Sequence, residues 1–161
     1  MKMAIEVHNE EEMQKLGRDL AAVLAEDDVV YLLGELGAGK TTLVRGVARG
    51  LGYPGRVTSP TFTLMNIYAT DPLIYHFDFY RLENSDMEDL GLDDYLECGG
   101  ISLVEWPQVG QELLPQEALW LEIELIDHDY ERSRMVSISA QGSKYQDKLE
   151  RLRQIVNTGD R

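Results

Sequence analysis

An α/β fold is predicted, with a parallel core to the sheet, an antiparallel C-terminal hairpin and helices on both faces. Three observations predict it. Strand-like and helix-like segments alternate at first, the pattern of helices packed on a sheet. The run VVYLL, Val29–Leu33, is apolar throughout, as in a strand covered on both faces. Two later segments instead alternate apolar and polar residues, as in an antiparallel pair with one solvated face. At 161 residues the chain is long enough for one well-buried domain and short for two. A single domain over 1–161 is therefore expected, with a core over about 9–140 and a closing helix over about 143–157.

The elements follow in order. Asn9 can cap a helix, with Glu12 as its capping-box partner, and Met13, Leu16, Leu20 and Val23 recur at helical spacing. Asp27 and Asp28 break that pattern before the Val29–Leu33 strand. After a Gly-rich turn, Leu43, Val44, Val47 and Leu51 mark a second helix, ended by Gly50 and Gly52. VTSPTFTLMNIY reads as a loop leading into a strand, with Pro60 fixing the approach. Leu73–Phe79 is another strand, with Tyr75, Phe77 and Phe79 on one face and His76, Asp78 and Tyr80 on the other. Met87, Leu90 and Leu96 belong to an acidic helix, and Ile101–Trp106 is an apolar strand that ends in an acid. Leu119–Ile126 and Met135–Ser139 form the hairpin, and Tyr145–Val156 closes the chain as a helix through Leu149, Leu152 and Val156.

Composition excludes several classes. No apolar run approaches the roughly 20 residues that span a bilayer, and the N-terminus lacks an apolar signal core. The single cysteine, Cys98, excludes an intramolecular disulfide and reads as a structural thiol in a reducing, cytoplasmic setting. The formal net charge of -14 disfavours unaided binding to nucleic acid or anionic lipid. That charge is uneven. Leu36 to Thr70 contains no acid but holds Lys40, Arg45, Arg49 and Arg56, which suits an anion. Glu83 to Glu97 holds seven acids and no base, as a solvated helix face or a docking surface for a basic partner would.

GELGAGKT, Gly34–Thr41, matches the phosphate-binding pattern G-x-x-x-x-G-K-[ST] in full, between a strand and a helix as the mechanism requires. Gly34, Glu35, Leu36, Gly37, Ala38, Gly39, Lys40, Thr41 and Thr42 are thus the candidate nucleotide-binding residues, in a P-loop NTPase-like sheet. Glycines let backbone N–H groups converge on one phosphate, and the helix start adds its positive end. Lys40 should reach the β- and γ-phosphates, and the Thr41 hydroxyl should ligate Mg²⁺. A second Mg²⁺ contact from a strand-end acid is expected, and Glu105 and Asp78 compete for it. Asp78 could instead be a buried carboxylate satisfied by nearby N–H groups or by His76, and His76 reads as structural. Trp106-Pro107 could be a core anchor and a helix start. The guanine-reading Asn-Lys-x-Asp signature is missing, so ATP is favoured over GTP. Three activities stay open from the residues: ATP hydrolysis, phosphate transfer to a small molecule, and nucleotide-gated assembly without catalysis. No arginine-rich lid marks a kinase.

GELGAGKTTLVRG, TSPTFTL, YHFDFYRL and LVEWPQ follow one another here as they do in the bacterial TsaE (YjeE) family, which the chain resembles from about Asn9 to Ala140. The resemblance implies the ATPase subunit of the machinery that makes N6-threonylcarbamoyladenosine in tRNAs reading ANN codons. It also implies TsaD and TsaB as partners, with tRNA reached only through that complex and no membrane involved. By position it implies that Lys40, Asp78 and Glu105 serve catalysis, that Thr41 and Glu105 hold Mg²⁺, and that Arg132 lies near the nucleotide. Ser59, Thr61 and Thr63 resemble a switch-like loop, with Tyr80, Arg81 and Trp106 on the partner-coupling side. Glu35 replaces the family's more frequent Asp, and Met13 stands where many members have Thr. The acidic Glu83–Glu97 stretch is expected to help dock a partner.

Overall fold

A computed structural model describes residues 2–82, 91–131 and 133–158. Their core is one seven-stranded sheet in the order β1-β7-β6-β2-β5-β4-β3. The strands are β1 Lys2–Val7, β2 Val29–Leu33, β3 Met65–Tyr68, β4 Ile74–Asp78, β5 Ile101–Glu105, β6 Ala118–Leu125 and β7 Arg134–Gln141. The central run β6-β2-β5-β4 is parallel, and antiparallel pairs flank it at both ends. The hairpin β6–β7 is as expected, with Glu122 and Glu124 exposed and Leu121 and Ile123 buried.

β1 has no counterpart in the sequence reading. Its Met3, Ile5 and Val7 alternate with Lys2, Ala4 and Glu6, a period-2 signal masked by the charges around it. It pairs with β7 from Lys2 opposite Ser139 to Val7 opposite Arg134, and forms one sheet edge.

The helices are α1 Glu10–Ala21, α2 Lys40–Gly50, the short α3 Asp93–Leu96 and α4 Ser143–Thr158. The Asn9 side chain caps α1 by accepting the Glu12 N–H at 2.9 Å. α1, α2 and α4 lie on one sheet face, where Leu16, Leu20, Leu43, Val47, Leu149 and Leu152 meet Val30, Leu32, Leu103 and Leu121. The opposite face is aromatic, with Tyr31, Tyr75, Phe77 and Phe79, and is covered by α3 and the 3₁₀ turn Pro107–Leu113. Helical structure thus flanks both faces, but the three long helices share one. Of the expected acidic helix, Leu96 belongs to α3, whereas Met87 and Leu90 lie outside the described residues.

Two contacts lock the helical layer. α1 and α2 cross at glycines: a Cβ on Gly46 would run into the Gln14 backbone, and one on Gly17 into the Leu43 carbonyl. At the start of β2, the fully buried Asp28 is clamped by Lys148 at 2.7 Å and Lys144 at 3.0 Å, both from α4. The pair of acids that looked like a simple break therefore includes a buried anchor. Cys98 is exposed rather than packed, contrary to a structural thiol. Among the described residues no helix is long and apolar enough to cross a membrane.

Gly46→Ala should push α1 off α2 at a cost of about 2 kcal/mol. Urea denaturation followed by circular dichroism should show the midpoint falling with little change in slope.

Candidate functional site

Parallel register creates the site. Glu105 on β5 pairs with Leu32 on β2 and with Asp78 on β4, so three strand ends line up at one carboxyl edge. In open α/β sheets this edge is where ligands bind. Alternation puts His76 and Asp78 on one face, as the sequence suggested, and that face is the one the long helices cover. Tyr80 lies beyond the end of β4 and is exposed.

The loop from Gly34 to Gly39 joins β2 to α2. Gly37 and Gly39 have φ of 79° and 117°, a left-handed region that side chains resist. A Cβ on Gly37 would lie 3.1 Å from the Tyr130 ring, and one on Gly39 3.0 Å from Met13. Lys40 opens α2 and is buried. Its ammonium donates to the Gly34 carbonyl and to the Glu35 carbonyl at 3.3 Å, and lies 4.2 Å from the centre of the Trp106 ring. Burial lowers its pKa from the ordinary lysine value, while the charges of Glu105 and Asp78 oppose that shift. A bound phosphate would oppose it further.

Thr41 and Glu105 meet: the hydroxyl donates to Oε2 at 3.2 Å. Asp78 is a separate hub. Its Oδ2 accepts from Ser59 at 3.2 Å and Thr61 at 3.1 Å, and its Oδ1 accepts the Tyr80 N–H at 2.9 Å. His76 does not serve Asp78. It bonds Glu105, Nε2 to Oε2, at 2.6 Å. Trp106 takes a left-handed backbone, φ 58° and ψ 50°, a conformation that costs roughly 1–2 kcal/mol in a non-glycine residue. This turn aims the indole at Lys40 and packs it against Tyr80, with ring centres 4.8 Å apart and planes tilted by 45°. The reading of Trp106-Pro107 as an anchor and helix start is thus half of its role.

Other expected residues fall further out. Thr63 bonds Asn66 at 3.2 Å rather than Asp78. Arg81 stacks on the exposed Phe62 at 4.6 Å. Leu36 and Glu35 are exposed, and Glu35 meets the Tyr130 hydroxyl at 3.4 Å. Arg132 lies outside the described residues, as do Glu83, Asp86, Glu88 and Asp89 of the acidic stretch. Of the four basic residues between Leu36 and Thr70, Arg45 and Arg49 do not face the loop. Arg49 donates to the carbonyls of Tyr53 at 2.8 Å and Gly55 at 2.6 Å, and Arg45 to that of Val57 at 3.3 Å.

Sequence reasoning missed the wall beside the loop. A cavity of about 320 Å³ is lined by Val7, His8, Met13, Gly37, Thr42, Tyr130 and Arg134, among others. Arg134, one residue before the predicted Met135–Ser139 strand, donates to the Ala38 carbonyl at 3.1 Å. The unread strand β1 would have added to the signal, because it brings Val7 beside β7.

The donor set fits Mg²⁺ with a nucleotide. Thr41 and Glu105 offer hard oxygens beside a buried ammonium, and the loop glycines leave room where side chains would intrude. Among the described residues no group of three or more His, Cys, Asp or Glu could hold a metal. A cation here would complete its shell with phosphate and water, the habit of Mg²⁺.

Comparisons with known proteins point to one family. Residues 7–136 match the family model described as threonylcarbamoyl adenosine biosynthesis protein TsaE. The tRNA threonylcarbamoyladenosine biosynthesis protein TsaE of Bacillus subtilis is 42% identical over 145 residues, covering 89% of each chain. That of Haemophilus influenzae is 38% identical over 142 residues, covering 84% of this chain and 87% of the relative. The crystal structure of Bacillus subtilis YdiB superposes with a TM-score of 0.85 at 35% identity, covering 98% of this chain and 97% of that one.

Gly37→Ala should strain the loop by about 1 kcal/mol. Thermal unfolding should show a midpoint lowered by roughly 2–4 °C.

Proposed function

This chain belongs to the TsaE family, and from that premise we propose that it binds ATP with Mg²⁺ and hydrolyses it in the biosynthesis of tRNA threonylcarbamoyladenosine. One observation carries the reading: Lys40, Thr41, Glu105 and Asp78 converge on the carboxyl edge of three adjacent parallel strands. TsaD and TsaB are the proposed partners, in the cytoplasm. With a net charge of -14 this chain is poorly suited to grip tRNA itself, so the tRNA is left to those partners.

The residues divide the work. N–H groups of Gly37 to Thr42 cradle the phosphates. Lys40 swings from the Gly34 and Glu35 carbonyls to the β- and γ-phosphates, where its positive charge meets the charge that develops during transfer. Thr41 and Glu105 hold Mg²⁺, which neutralises phosphate charge when bound. Trp106 roofs Lys40 and excludes water from it. Asp78 accepts a hydrogen bond from the attacking water, or links the γ-phosphate to the partner's surface through Ser59 and Thr61. Water oxygen bonds to the γ-phosphorus and gives its proton to a phosphate oxygen, the bond to the β–γ bridging oxygen breaks, and ADP leaves with the electron pair of that bond. The exposed Tyr80, Arg81 and Phe62 form the outer, partner-facing side of this cluster.

Radiolabelled γ-phosphate, followed with the protein alone and with TsaB and TsaD added, tests the activity. Labelled inorganic phosphate rising on addition of the partners is expected. A labelled metabolite would make the protein a kinase, and no turnover in either case would make it a nucleotide-gated adaptor. Asp78→Asn should leave ATP affinity within about twofold while hydrolysis falls roughly a hundredfold. Collapse of ATP binding would instead assign Asp78 to the metal or to structure.

A further inference from the structure

His76 is buried, unused by the chemistry above, and in contact with the carboxylate on which that chemistry depends. Its side chain is 0% exposed. Nε2 lies 2.6 Å from Glu105 Oε2, and Nδ1 lies 3.0 Å from the Tyr68 hydroxyl. The contacts follow from register. Tyr68 pairs with Ile74 and Glu105 with Asp78, the residues two before and two after His76. Three side chains on one face therefore run diagonally over β3, β4 and β5.

Direction follows from chemistry. An ionised carboxylate only accepts, so Nε2 carries the hydrogen. In the neutral ring Nδ1 is then the acceptor, and the Tyr68 O–H donates to it. The Tyr68 oxygen also lies 3.4 Å from the Thr58 carbonyl, at the start of the loop that holds Ser59 and Thr61. The His76 and Thr41 bonds both fall on Glu105 Oε2, and among the described residues no hydrogen bond uses Oε1.

We propose that His76 is a positioning residue for Mg²⁺. It holds the Glu105 carboxylate toward Thr41 with Oε1 free for the cation, and Tyr68 fixes the ring tautomer that allows this. Without the His76 N–H, a flexible glutamate beside a buried ammonium is drawn to Lys40 instead, away from the metal position. The inference rests on the ATP–Mg²⁺ reading. Such supporting bonds typically govern metal affinity by 10–100-fold.

Calorimetric titration of the non-hydrolysable ATP analogue AMP-PNP, in EDTA and over a Mg²⁺ series, tests it. In His76→Leu the Mg²⁺ needed for half-maximal tightening should rise about tenfold, while affinity in EDTA stays within about twofold. His76→Gln keeps an N–H toward Glu105 and should stay within about threefold of wild type. Tyr68→Phe removes only the hydroxyl and should give a smaller rise, about threefold, carrying the test if His76→Leu does not fold. An unchanged Mg²⁺ requirement in His76→Leu overturns the proposal, as does an unchanged requirement in Tyr68→Phe where His76→Leu does not fold. So does an equal loss of affinity with and without Mg²⁺, which marks a structural role. If Mg²⁺ fails to tighten binding to the wild type, the metal reading itself fails and takes this one with it.

Discussion

Lys40, Asp78 and Glu105 are each less than 5% exposed, and keeping three charges out of water constrains everything around them. A buried charge is tolerated only when paired or hydrogen-bonded. Lys40 is met by two loop carbonyls and an indole face. Asp78 is met by two hydroxyls and a backbone N–H, and Glu105 by a hydroxyl and an imidazole. These partners come from the phosphate loop, α2, the Thr58–Thr63 loop, β4 and the turn after β5. The site thus ties together segments that the chain visits far apart, brought within reach by the parallel register of β2, β5 and β4 and by the antiparallel pairing of β3 with β4.

That convergence is backed by close packing behind it. α2 carries Lys40 and Thr41, and its position depends on backbone-to-backbone contact with α1 at Gly17 and Gly46. α1 in turn packs with α4 in the same core, while α4 is clamped to the start of β2 by Asp28. The strain stored at Trp106 is affordable because the surroundings over-determine it: Pro107 follows, the Trp106 N–H reaches the Leu32 carbonyl at 3.3 Å, and Tyr80 packs on the ring.

What the sequence made legible has a physical reason. Apolar period and Gly-rich punctuation are local signals, so β2, α1, α2, the hairpin and α4 were read nearly to their ends. The phosphate loop is legible because its chemistry is written in consecutive residues. The partner of His76 was not, because choosing between Asp78 and Glu105 depends on strand order, and strand order leaves no local mark. Tyr130 and Arg134 were missed as a wall for the same reason. They reach the loop only because β7 is flanked by β1 and β6 and its preceding turn overhangs β2. The acid-free stretch was read as anion-suited as a whole, yet its Arg45 and Arg49 hold backbone carbonyls, while Lys40 lies at the loop.

The arginines of that stretch explain where a response to nucleotide can arise. Arg49 and Arg45 hold the carbonyls of Tyr53, Gly55 and Val57, and Asn66 holds that of Thr58 at 3.1 Å. Backbone up to Thr58 is therefore fixed to α2 and β3. From Leu64 onward it is fixed again, since the Leu64 carbonyl accepts the Asp78 N–H at 3.0 Å. Between these anchors lie Ser59 to Thr63, whose ties to the site are the two hydroxyls on Asp78, beside local bonds from Leu64 N–H to the Pro60 carbonyl and from Thr63 to Asn66, and whose Phe62 is 82% exposed. A water that donates to Asp78, or a phosphate that accepts from the Ser59 and Thr61 hydroxyls in its place, removes those bonds and acts on this segment. On the proposed reading, occupancy at the γ-position is thereby converted into a change at the exposed surface that holds Phe62 and Arg81, the side a partner would meet.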